Sequence, residues 1–531
     1  MKISIKALLI AAFVLALAGC YEDKGNYTYG EVEEITVTFP EIMEAMQGMP
    51  IAFEPVIESS VNGIIKPDNP DYEYSCEVKY DYFDEEYHSY HWLDINPDKK
   101  QAIDFTYPLP AADYLVWYKV KNVKTDIEHN FRANFNVKSS THEGWMVLCR
   151  DADSRARLDI MFKNAQQKDE VFANIIKDDK VRLYNPRQLV FMPKNRQTGD
   201  EIFIVSDDAT YRLHIDNLNV LEGGNLMDFF LTSDYTSPVN CFEGVYNFGY
   251  EPDYELTVTA EGNVFALMSR TSGGTFEYPL NTDKIGNPPT YKVAPAIGHG
   301  FANSDLAVFY DVTNKKFKGT TWSGDNQTNM ALYDLMEPEI PLFSYSTGLD
   351  FVDMTMSALG TGGQVFTILK EPGGHRVLYA IGVNGTERND YTQKGYYPNI
   401  TTPDFDSATD YAASSQYSYL YYCKGNKVYS ISYPNNMVTD EITLPAGETA
   451  TLVKFNRYQR LLMYKGIQRV PRDEEYRSMQ NKLIVGSSDG TENGGVIRFY
   501  DISPEGKFTL YKEMKGFGAE IVDVIYREQK H

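Results

Sequence analysis

The sequence predicts an all-β chain, a small sandwich followed by a seven-bladed β-propeller. Three observations carry this. Tyr 40 and Phe 28 against Trp 4 in 531 residues favour half-buried strands. One strand–turn–strand unit recurs seven times at nearly even spacing. A last apolar segment, Ile521–Tyr526, has no hairpin after it and is free to close a ring.

The first strands are short and bounded by turn residues. Ile35–Phe39 alternates apolar and polar residues. Tyr72–Val78 follows the Pro67/Pro70 turn region, and Tyr114–Val120 is dense in aromatics. Phe131–Val137 closes the unit with strict period-2 alternation. About 110 residues of such strands is the size of an immunoglobulin-like sandwich, here residues 31–140.

Beyond residue 141 the hairpins begin at 145, 202, 256, 306, 364, 419 and 483. Their turns are polar or glycine-bearing: Asp151–Ser154, Asp207-Asp208, Glu261-Gly262-Asn263, Thr313-Asn314, Pro372-Gly373-Gly374, Lys424-Gly425-Asn426 and Asp489-Gly490. Intervals of this size mark propeller blades, which places the ring over residues 141–531. Short apolar segments such as Leu189–Met192 and Phe351–Met356 precede most hairpins as innermost strands. The first hairpin lacks one, and Ile521–Tyr526 is the segment left to supply it, which would also protect the edges.

Charge narrows the function. Lys+Arg 50 against Asp+Glu 74 gives -24, with no basic run, so nucleic acid and anionic membrane surfaces would repel the chain. Residues 1–19 read as a signal peptide: Lys2 and Lys6, the apolar stretch Ala7–Ala16, then Leu17-Ala18-Gly19-Cys20. That ending is a lipobox, which assigns lipidation to Cys20 and a tether to residues 20–30. No later segment reaches the roughly 18 apolar residues that span a bilayer. Cys76, Cys149, Cys241 and Cys423 lie far apart without metal-ligand spacing and read as buried thiols, although one disulfide stays open.

Cys20 is followed by Tyr21-Glu22-Asp23-Lys24-Gly25-Asn26-Tyr27-Thr28-Tyr29 and a Glu-rich apolar strand, Val32–Phe39. This stretch resembles the start of the PKD-like family lipoproteins of the Bacteroidetes. Glu22 and Asp23 look like the surface-export signal of that lineage, and Asp406-Ser407-Ala408 like its O-glycosylation motif. The W-x-F-G-D-G signature of ordinary PKD repeats is absent, so the likeness concerns the fold. The resemblance implies an outer-membrane lipoprotein facing the cell exterior, an accessory to SusC/SusD-type importers. It implies no catalytic residue to transfer.

A search for chemistry returns little. His88 and His91 sit three apart, on opposite faces of any strand. Asp151-Ala152-Asp153 opens like a calcium loop, but Arg155, Arg157 and Phe162 stand where oxygen ligands are needed. No G-x-S-x-G, H-E-x-x-H or phosphate-cradling loop occurs. Catalytic residues, metal and cofactor are therefore expected to be none. Aromatic clusters are the better lead, since exposed rings stack on sugars or peptides. The candidates are Tyr90 and Trp92 in the sandwich, Trp322 after a propeller hairpin, and Tyr396, Tyr397 and Tyr417 in segments read as turn-rich. Alternatively these rings fill the core between blades. The expectation is a non-catalytic subunit that binds an oligosaccharide or oligopeptide beside its transporter. The competing expectation is a surface glycoside hydrolase or peptidase-like enzyme on the propeller.

Overall fold

The computed structural model describes residues 33–528 apart from 42, 47–50, 85–88, 106–111, 139–140, 142, 164–167, 177–180, 182, 194–199, 216, 232–233, 235–236, 247–253, 268–273, 285, 302–303, 321–330, 361 and 459–472. The signal peptide, Cys20 with its tether, Trp322 and the side chains of His88, Tyr90 and His91 lie outside the described residues. Strands account for 54% of the chain and helix for 3%, so the all-β expectation holds. The chain divides after Val137 into two compact units.

In the first unit a three-stranded sheet, Ile35–Thr38, Val56–Ser59 and Gly63–Ile64, shares one core with a five-stranded sheet. The latter runs in the order Glu44–Met46, Ile127–Lys138, Ala112–Asn122, Tyr72–Asp84, Ser89–Asp94. Period-2 alternation does the sorting: Tyr114, Val116, Tyr118 and Val120 point into the core with Cys76, Val78 and Phe135. Leu115, Trp117, Lys119 and Lys121 consequently occupy the other face. The unit is a sandwich.

The second unit contains, among the described residues, seven small antiparallel sheets. Blade two is Pro186–Met192, Glu201–Ser206, Thr210–Leu213 and Val220–Asn225. Blade three has three strands, Val239–Val245, Tyr254–Thr259 and Val264–Leu267. Blade four runs from Gly298–His299 to Tyr333–Asp334, blade five from Asp350–Ser357 to Tyr391–Tyr397, and blade six from Asp410–Ala413 to Met437–Thr443. Blade seven runs from Thr449–Lys454 to Phe508–Phe517 and carries the one α-helix among the described residues, Asp473–Met479. All seven predicted hairpins are present. Gly262 takes φ +80 in its turn, where a Cβ would also press on the Val293 backbone.

Blade one closes the ring. Its innermost strand is Glu520–Arg527, paired antiparallel with Gly144–Arg150 and backed by Ala156–Lys163 and Asp169–Phe172. Seven apolar clusters lie one between each pair of consecutive blades, the last joining Leu452, Ile484 and Phe499 to Trp145, Val147 and Ile521. A middle strand therefore meets a neighbour on both faces. Tyr254–Thr259 and Leu483–Ser488 are buried along their whole length, polar Glu255, Thr257, Thr259, Ser487 and Ser488 included. The outer strand Phe508–Phe517 is mostly exposed. The four described cysteines are buried and unpaired.

Candidate functional site

The innermost strands share a local device. In five of the seven central ladders the register shifts by one residue, leaving Arg187, Asn240, Val352, Thr451 and Val522 unpaired. Such a bulge flips the phase of the strand and re-aims the next side chain. Those side chains reach across to the following blade. Asp523 accepts from the Leu189 N–H at 2.9 Å, and Gln188 from the Phe242 N–H at 3.0 Å. The Cys241 sulfur accepts from the Ile297 N–H; Asp410, in a ladder without a bulge, likewise accepts from the Val453 N–H at 2.6 Å. Each pairing satisfies a backbone donor that the ladder itself cannot reach.

Asp353 breaks the pattern. It accepts the N–H of its own neighbour, Met354, at 2.8 Å, and the side chain across the joint is Asp410. Burial pushes the Asp353 carboxyl up, with the Arg376 charge opposing. Burial and then the Asp353 charge hold Asp410 well above the usual carboxylate range. The two cannot both ionise freely.

Across the ring the charges are matched. Glu243 accepts from Gln188 Nε2 at 2.8 Å and stands 3.6 Å from both Arg457 and His299. Burial pushes its carboxyl up, but Arg457, His299 and Lys454 outweigh that and keep it below the usual range. The His299 Nδ1 donates to the Gly300 carbonyl at 2.7 Å, which leaves Nε2 to face Arg457 at 3.3 Å. Lys454 pairs with Asp523 at 2.5 Å.

Several of these groups line a central cavity of about 620 Å³ to which every blade or the segment beside it contributes. Its walls include Gln188, Glu243, Asp353, Lys454 and Asp523, with Ala413 from blade six and Phe301 beside the blade-four strand. Arg477, Gln480 and Asn481 add lining from the helix Asp473–Met479 and the turn after it. That helix is seated by Tyr476, stacked 4.7 Å from Tyr458 and bonded to Glu143. The volume suits a few sugar rings or a short peptide. The His299 Nε2 faces a guanidinium and a carboxylate, not a hydroxyl or thiol, so it activates no nucleophile among the described residues.

The predicted aromatics are not gathered here. Trp92 is 38% exposed on the sandwich, beside Trp117. Tyr396 and Tyr397 belong to the strand Tyr391–Tyr397, a correction to the turn-rich reading. Tyr396 packs on Tyr379 and Phe343, while Tyr397 faces the other way into the core between blades five and six, 4.9 Å from Tyr433. Tyr417 is half-buried against Tyr419. Asp151 caps its hairpin turn by accepting from the N–H groups of Asp153 and Arg155. Ser407 is exposed, and Asp406 beside it accepts from the Arg376 N–H. Gln188, Glu243, Asp353, Arg457 and Asp523 went unnoticed in the sequence. The strands of Gln188, Glu243, Asp353 and Asp523 carry other polar residues, Arg187, Asn240, Asp350 and Glu520 among them, so polarity alone does not mark them out.

Residues 20–180 match the PKD-like family. The PKD-like segment takes in the described sandwich and reaches through the outer strand of blade one, Asp169–Phe172. Comparison with curated proteins returned no match. Among solved structures the chain is similar to apo AztD from Citrobacter koseri, with TM-score 0.33 and 9% identity over 86% of this chain and 98% of that one.

Proposed function

We propose that the chain is a lipid-anchored protein of the outer membrane, facing outward through Cys20. In this reading it is a non-catalytic accessory subunit of a SusC/SusD-type importer for oligosaccharides or oligopeptides. The lipobox and the PKD-like match support the address and the kinship. The observation that carries the role is the cavity lining, where Arg457, Glu243, Lys454 and Asp523 are held by one another. Groups spent in this way shape and hold a ligand; they do not transfer its protons. Solubilising the membrane in mild detergent and capturing the chain is expected to bring importer subunits with it. Recovery of the chain alone defeats the proposal.

One observation favours the competing enzyme. Asp353 and Asp410 are two carboxyl groups with raised proton affinity at one joint, the kind of pairing glycoside hydrolysis uses. Turnover of a polysaccharide or peptide by the purified chain, abolished in Asp353→Asn, decides for the hydrolase.

A further inference from the structure

The sandwich carries a second feature, separate from the cavity. The outer face of its five-stranded sheet is not covered by the sandwich core. Of the four tryptophans in the chain, the two in this unit meet on that face, with ring centroids 5.0 Å apart. Register explains the meeting. Trp117 stands opposite Glu77 and Arg132, and Trp92 opposite Lys79, one diagonal step away. Trp92 keeps 38% of its surface open, a costly exposure for an indole that the core could have taken.

The surroundings select the occupant. The Arg132 guanidinium lies 5.1 Å and the Lys119 ammonium 5.5 Å from the Trp117 ring, and Lys119 is also paired with Glu77 at 3.2 Å. Both cations are engaged, so an anionic chain gains little here. Asn130, Arg132 and Asn134 alternate along one strand on this face, exposed beside the rings. An interface core with another protein is depleted of charged residues, and this face is not. Flat apolar rings bordered by exposed amides match a pyranose, whose C–H face stacks while its hydroxyls bond at the edge.

We propose that this face is a binding platform for neutral polysaccharide, with Trp92 and Trp117 as the stacking floor and Asn130 and Asn134 as edge contacts. The site is independent of the propeller cavity and of any importer. The test is affinity electrophoresis of the purified chain in gels containing β-glucan, arabinoxylan, galactomannan or amylopectin. The wild type is expected to be retarded by at least one of these. Trp92→Ala, an exposed position whose loss leaves the core intact, is expected to weaken retention about tenfold, while Tyr278→Ala, an exposed ring outside both the platform and the cavity, leaves it unchanged. Trp92→Phe, which keeps a ring, is expected to restore part of it. No retardation in any gel overturns the proposal, as does retention that survives Trp92→Ala. Capture of importer subunits alongside a negative gel result would sink the platform alone and leave the accessory role standing.

Discussion

At the joint between blades one and two, Asp523 follows a bulge, accepts the Leu189 N–H and holds Lys454. At the joint between blades five and six, Asp353 follows a bulge in the same way and meets Asp410. The residue type and its place in the strand are the same, yet one carboxylate is matched and the other confronts its like. A bulge aims a side chain, and the neighbouring blade decides what the aim is worth. The first joint is built for closure. The second concedes stability at neutral pH and leaves Asp353 facing the cavity.

Substitutions sharpen the contrast. Asp523→Ala has the largest expected effect, because it strands a backbone donor and a half-buried ammonium together. A loss of about 3 kcal/mol is expected in urea unfolding. Unchanged stability would mean that the joint is held by its apolar cluster alone. Asp353→Asn should act in the opposite direction. Asp353 holds its proton more tightly in the fold, at about 6, than in the unfolded chain, so the wild type loses stability as pH rises from about 4 through that value. The variant is expected to be more stable than wild type by about 1–2 kcal/mol at pH 7.5, with the gain vanishing near pH 4. Thermal melts at both pH values check it, and a destabilised variant at pH 7.5 would overturn the reading. Glu243→Gln is the smallest. The fold lowers the Glu243 proton affinity, so its contribution is present at neutral pH and is lost as pH falls through the folded value. A cost of about 1 kcal/mol at pH 7 is expected, narrowing below pH 4 in the same melts.

The ring was legible because one strand–turn–strand unit recurs at even spacing, and each first strand ends in residues that only turns want. Lys424-Gly425-Asn426 between Tyr419–Lys424 and Lys427–Ser432 is one such case. The closing strand was legible as the one apolar segment without a hairpin. The cavity was not. Gln188, Asp353 and Asp523 are polar residues one step past a bulge, and a bulge leaves no mark in periodicity that would show which face follows it. Tyrosine content misled in a different way: Tyr397 is a partly buried ring packed between blades five and six, where its bulk fills the core.

Closure by the last strand also orders events during synthesis. Arg150 and its partner Glu520 are 370 residues apart, so blade one is begun early and finished last. Until residues 520–527 leave the ribosome, that edge of Gly144–Arg150 has backbone donors and acceptors with no strand beside them. A chain cut short before residue 520 keeps that edge open and offers it to other copies. The ring thus depends on that segment: with residues 520–527 in place the edge is sealed, and without them it is exposed to aggregation and to proteases.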